Sequence, residues 1–91
     1  MVTGIVLVNV ERPLLKQVIK NIMDLDGVTE VYAVAGEYDL VVMVRVKDNS
    51  QLAEIVANQM PHEIQGIIHT KTLISLEAYS ELDINSFFNV K

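Results

Sequence analysis

The chain of 91 residues contains the pattern strand, helix, strand twice in succession. Runs of β-branched and apolar residues predict four strands, at 3–10, 28–35, 40–46 and 67–76. The turn at 36–39 is short, so the second and third strands form an antiparallel hairpin. Since strand crossovers of this kind are right-handed, this order leaves few folds open.

Apolar residues recur at helical spacing in the two segments between the strands. The first stripe comprises Leu14, Leu15, Val18, Ile19, Ile22 and Met23, and the second comprises Leu52, Ile55, Val56 and Met60. Pro13 suits the first turn of the first helix, and Gly27 suits a left-handed cap at its end. One of the polar residues at 48–50 caps the second helix, which we expect Pro61 to end or to kink.

The two halves also resemble each other, because Leu-Asp-Gly-Val at 25–28 and Ile-Gln-Gly-Ile at 64–67 both stand between a helix and a strand. Two βαβ units joined by a hairpin predict an α+β fold, the ferredoxin-like βαββαβ sandwich, with both helices on one face of a four-stranded antiparallel sheet. Residues 1–76 form this domain. For the tail at 77–91 two expectations stay open: a short frayed helix, or packing over a neighbouring subunit through Tyr79, Leu82, Ile84, Phe87 and Phe88.

The two central strands of such a sheet are apolar on both faces. Ile5 and Leu7 alternate with Val6 and Val8, and the strand at 40–46 behaves in the same way. A sheet with one wet face alternates apolar and polar residues instead. Hydrophobic residues make up 51% of the chain, and the helices cover only one face. We therefore expect a homodimer that packs sheet to sheet, a dimeric α+β barrel.

Charge and composition exclude several functions. Seven basic against twelve acidic residues give a net charge of −5, which argues against direct nucleic-acid binding. The chain has no cysteine, which excludes disulfides and thiolate metal sites and fits the cytoplasm. No membrane span or signal peptide is predicted. His62 and His69 are too few for a metal site, and we expect no enzyme, cofactor or metal.

The turn at 36–39 is the candidate for binding a small molecule. Gly36 permits a positive φ, Glu37 and Asp39 accept hydrogen bonds from an ammonium group, and Tyr38 offers a ring and a hydroxyl. Thr70 and Thr72 share one face of the fourth strand and are expected to face this turn. Such a set suits a zwitterion such as an amino acid. The structural alternative is a tight hairpin in which Asp39 bonds its own turn.

These motifs, in this order, resemble the C-terminal effector domain of the Lrp/AsnC (feast/famine) regulators, known as the RAM domain. The resemblance rests on 25–28, on Gly-Glu-Tyr-Asp-Leu at 36–40, and on the spacing of Gly66, Thr70 and Thr72. It implies an amino acid bound between dimers, with Gly36, Glu37, Tyr38 and Asp39 at the pocket and Thr70 and Thr72 nearby. It also implies dimers assembled further, for example into an octamer, and a role in the transcriptional regulation of amino-acid metabolism.

One departure from the family pattern is that the first strand begins at once, without a helix-turn-helix domain. We therefore expect a stand-alone RAM protein that acts on DNA only by co-assembly with full-length regulators. Three alternatives stay open: an ACT-type amino-acid sensor, a structural partner subunit without a ligand, and a small dimeric α+β-barrel enzyme of the monooxygenase type.

Overall fold

The computed structural model describes residues 1–80 and contains one four-stranded antiparallel sheet. Its strands are β1 (Val2–Val10), β2 (Val28–Ala33), β3 (Leu40–Val46) and β4 (Ile67–Ser75). Their spatial order is β2-β3-β1-β4, so that β1 and β3 are central and β2 and β4 form the edges. The predicted ferredoxin-like arrangement is confirmed. Residues 81–91, which include most of the predicted tail, lie outside the described residues.

The helices pack on one face of this sheet. A short 3-10 turn at Arg12–Leu14 leads into α1 (Leu15–Met23). The second helical segment consists of α2 (Asn49–Ala53), a π-helical stretch at Glu54–Gln59 and α3 (Met60–Glu63). Within residues 1–80, no helix has the length and hydropathy to cross a bilayer.

The ends of the second helical segment differ in part from expectation. Asp48 is the cap among the three candidates, because its carboxylate accepts a hydrogen bond of 2.9 Å from the N–H of Gln51. Pro61 does not end the helix, which continues to Glu63. In the preceding π-helical stretch the N–H of Met60 bonds to the carbonyl of Ile55, five residues back. This wider turn accommodates a proline ring that would clash in a regular α-helix.

The core lies between the sheet and the helices. Alternate hydrophobic residues of β1 and β3 are buried there, namely Val6, Val8, Val10, Leu40, Val42, Val44 and Val46. The helices contribute Val18, Ile22, Leu52, Ile55 and Met60. Because side chains alternate between the two faces of a strand, the intervening residues of β1 and β3 point to the open face.

The internal sequence repeat corresponds to a repeated backbone geometry. Gly27 and Gly66 precede β2 and β4 with φ of 101° and 104°. The carbonyl of Gly27 accepts a hydrogen bond of 2.8 Å from the N–H of Arg45 in β3, and that of Gly66 accepts one of 2.8 Å from the N–H of Glu11 after β1. Each glycine therefore ties the start of an edge strand to its central neighbour.

Replacing Gly66 with alanine is expected to destabilise the fold more than replacing Gly36. Both glycines have positive φ, which costs an L-residue about 1–2 kcal/mol. A Cβ at Gly66 would also lie 2.8 Å from Cγ2 of Val18, whereas nothing lies within 4 Å at Gly36. This overlap adds about 1–3 kcal/mol. Urea unfolding at one fixed protein concentration measures both variants, and equal losses would contradict the packing argument.

Candidate functional site

The turn between β2 and β3 lies at the end of the sheet where β1 ends and β4 begins. Its ends are joined by a hydrogen bond of 2.9 Å from the N–H of Val34 to the carbonyl of Asp39. β2 stops at Ala33, two residues before the predicted residue 35. The N–H of Asp39 donates in turn to the carbonyl of Val8, also at 2.9 Å. The turn is therefore fixed to the central strand β1.

The side chain of Asp39 strengthens this attachment. Its Oδ2 accepts a hydrogen bond of 2.9 Å from the N–H of Val10, and its Oδ1 lies 3.7 Å from Nη2 of Arg12. The side chain is only 19% exposed. Asp39 thus bonds the end of β1 through its carboxylate, not its own turn, and acts as a positioning residue. Of the two predicted ammonium acceptors, Glu37 is the exposed one.

The tip of the turn is held from one side and open on the other. Nδ2 of Asn9 donates to the carbonyl of Glu37 at 2.9 Å. Within residues 1–80, no hydrogen bond engages the N–H groups of Gly36, Glu37 or Tyr38. Gly36 and Glu37 are exposed, and Tyr38 is partly buried. Free amide donors beside an exposed carboxylate match the two ends of a zwitterion.

Two residues of this turn region, Asn9 and Arg12, were missed as site residues by sequence reasoning. Asn9 carried a signal, since it is a polar side chain in an otherwise apolar run of β1. Arg12 carried none, because its approach to Asp39 depends on strand register across 27 residues of chain.

Thr70 and Thr72 lie apart from the turn of the same chain. They pair with Val8 and Val6 of β1, so both face the helices, and their predicted shared face is confirmed. β1 lies between them and β3, so they are at least two strand spacings, about 10 Å, from the strand that follows the turn, and Thr72 is also displaced along β4 away from it. Thr72 instead lines a groove of about 450 Å³ between the second helical segment and β4, together with Asn49, Leu52, Ala53, Val56 and Ile74.

The open face of the sheet is a second candidate surface. Its centre is apolar, formed by Ile5, Leu7, Val41, Met43 and Leu73. The predicted two-faced character of the central strands is therefore confirmed. Asn9, Arg45, His69 and Lys71, the polar exceptions expected there, lie on this face by their register.

Near the β2 edge the open face carries an ion pair. Nη1 of Arg45 lies 2.8 Å from Oε1 of Glu30, and the hydroxyl of Tyr32 donates to Oε2 of Glu30 at 2.8 Å. Arg45 also donates to the hydroxyl of Thr29. The hydrogen bonds from Arg45 and then Tyr32 lower the pKa of Glu30. This edge is therefore a polar rim beside an apolar centre, as in many protein interfaces.

Within residues 1–80, no three histidine and carboxylate side chains are placed to hold a metal ion. His62 lies at the end of the second helical segment and His69 on β4, and both are exposed.

The Lrp/AsnC ligand-binding domain model matches residues 3–83 of the chain. The chain belongs to the Lrp/AsnC family. This assignment replaces the ACT-type alternative, and the resemblance seen in the turn and the glycine motifs is confirmed. Relatives in this family are regulators of transcription.

Three similar proteins illustrate the likeness. An uncharacterised HTH-type transcriptional regulator of Pyrococcus abyssi is 35% identical over 66 residues, which are 72% of this chain and 43% of that regulator. The chain thus spans less than half of that protein. The protein TTHA0845 of Thermus thermophilus is 34% identical with a TM-score of 0.82, covering 89% of this chain and all of that one. A Neisseria meningitidis regulator solved with L-Met shares the fold alone, at 12% identity, a TM-score of 0.74, and 94% and 58% coverage.

Removing the Asp39 carboxylate is expected to loosen the end of β1. In Asp39→Ala the N–H of Val10 loses its acceptor, at a cost of about 1–3 kcal/mol. Asp39→Asn keeps an acceptor oxygen and is the matched control. Hydrogen exchange at the Val10 amide and urea unfolding measure the effect. If the Val10 amide exchanges equally slowly in both variants, the hydrogen bond from Val10 to Asp39 does not stabilise the end of β1.

Proposed function

We propose that this Lrp/AsnC chain is a non-enzymatic effector module that binds an amino acid at the turn and couples binding to assembly. The observation that carries the proposal is the tip of the turn at Gly36–Tyr38, which has free N–H groups. Hydrogen bonds between the turn and β1, made by Asp39 on the turn and by Asn9 on β1, hold this tip in place. A fixed set of donors binds a ligand without first being ordered, which lowers the entropic cost of binding.

Each end of an amino acid finds a complementary group at the turn. The free N–H groups donate to its carboxylate, and the exposed carboxylate of Glu37 accepts from its ammonium group. Tyr38 supplies a partly buried ring for the side chain. Since β1 separates Thr70 and Thr72 from the turn of their own chain, they contribute when a neighbouring copy supplies them.

Assembly begins with the open face. Its apolar centre, Ile5, Leu7, Val41, Met43 and Leu73, suits packing of two sheets across a two-fold axis. A standard interface buries about 800 Å² on each partner. Such dimers associate further, for example as an octamer, and a ligand bound between dimers shifts that equilibrium by its differential affinity for the two states.

The route to DNA is indirect in this proposal. The chain carries a net charge of −5, whereas phosphate contacts need clustered basic residues. Co-assembly with a full-length regulator of the same family, in the cytoplasm, would transmit the effector signal to a DNA-binding domain.

A thermal-melt panel against the twenty L-amino acids tests the effector role. A ligand at about 100 times its Kd adds about 2.7 kcal/mol, which for a domain of this size raises Tm by roughly ten degrees. Solution mass measured on the same samples reports assembly. One amino acid that raises Tm and changes the mass supports the proposal. No shift across the panel contradicts it and favours a structural partner subunit.

A charge at the centre of the open face is expected to break the dimer. Met43→Lys places an ammonium group opposite Ile5 in the middle of the apolar surface. Ile74→Lys is the control, since Ile74 is 52% exposed on the other face of the sheet. Sedimentation velocity should show a dimer or a larger assembly for the control and a monomer for Met43→Lys. A monomeric wild-type chain would rule out the sheet-to-sheet arrangement.

A further inference from the structure

We propose that Arg12 is the residue that selects an α-carboxylate at the turn, so that the effector is an amino acid and not an amine or an amide. This inference rests on the proposed effector site and adds one residue to it. Arg12 belongs to the 3-10 turn after β1, whereas the rest of the site comes from the connection between β2 and β3.

Arg12 is brought to the turn by its contact with Asp39. Its Nη2 lies 3.7 Å from Oδ1 of Asp39, which is longer than a hydrogen bond, and only this one nitrogen takes part. The other carboxylate oxygen, Oδ2, is occupied by the N–H of Val10. The guanidinium group therefore lies beside Asp39 with its hydrogen-bond donors unused.

The guanidinium group is available to a ligand. The Arg12 side chain is 84% exposed, and within residues 1–80 its only polar partner is Asp39. A guanidinium group presents donors in a planar fork that matches a carboxylate with two parallel hydrogen bonds. In the ion pair between Arg45 and Glu30, by contrast, Nη1 of Arg45 already lies at hydrogen-bond distance, 2.8 Å, from Oε1 of Glu30.

Local charge explains why a cation is needed at this position. The chain has a net charge of −5, and the turn itself carries Glu37 and Asp39, with Glu11 beside Arg12. An approaching carboxylate is repelled by these groups, while an ammonium group is attracted. The free amide N–H groups alone carry no net charge. Arg12 therefore lets the turn hold both ends of a zwitterion.

The test compares an acid with its amide in matched variants of the full chain. Isothermal titration measures L-methionine and L-methioninamide, and then the tightest-binding amino acid of the panel with its α-amide. Arg12→Gln should weaken binding of the acid about 10-fold or more and leave the amide nearly unchanged, because only the acid loses a charge-assisted bond. Arg12→Lys keeps the positive charge but not the planar fork of donors, so its affinity for the acid should lie between those of wild type and Arg12→Gln. Lys47→Gln, at the opposite end of the sheet, makes the same charge change and should behave as wild type.

The outcomes separate this inference from the proposed function. Equal affinity of wild type and Arg12→Gln for the acid overturns the role of Arg12 and leaves the effector site standing. Equal losses for acid and amide show that Arg12 supports the shape of the turn, which also overturns the inference. A wild-type chain that binds none of the amino acids overturns both.

Discussion

Burial of one side of β1 and β3 beneath the helices is the constraint on which the rest of the structure depends. Alternate valines and leucines of these strands, such as Val6, Val8 and Val42, are fully buried there. Because the side-chain period of a strand is two, a slip of one residue would expose all of them. The register is thereby fixed, and with it the position of every residue at the strand ends.

That register is what builds the candidate site. β1 and β3 pair so that Val8 is opposite Leu40, which brings Asp39 to the end of β1. There its main chain and side chain bond to Val8 and Val10, and the tip of the turn is left with free donors. These few hydrogen bonds attach the exposed turn to a strand that is anchored in the core. Binding residues on loops held by a rigid scaffold are a general arrangement in proteins.

The same burial leaves the opposite face of the sheet unpartnered. Ile5, Leu7 and Met43 occupy positions that alternate with core residues, so no choice of register hides both sets. In the proposed dimer, the sheet of a second copy covers these residues without disturbing the first core. The turn proposed to bind the effector and the face proposed to form the dimer are both attached to β1 and β3.

Sequence reasoning succeeded for the elements with strong local signals and failed where contacts are distant. The strands, α1, the Asp48 cap region and the left-handed glycines follow from periodicity and from conformational preference. Of the two outcomes predicted for Pro61, an end of the helix is wrong, because a π-helical stretch just before it accommodates the proline ring. No local sequence pattern predicts that stretch. The grouping of Thr70 and Thr72 with the turn was also beyond local pattern, since β1 intervenes between them.

The sequence by itself determined the fold, the family and the existence of a polar turn beside an apolar sheet. These follow from short-range patterns, because alternation, helical spacing and glycine conformation act within a few residues. Only the tertiary structure decided the roles inside the turn. In that structure the Asp39 carboxylate accepts a hydrogen bond from the N–H of Val10, and Asn9 donates one to the carbonyl of Glu37. Arg12 lies beside Asp39. Such contacts join residues 27 to 29 positions apart, and strand pairing, not local preference, brings them together.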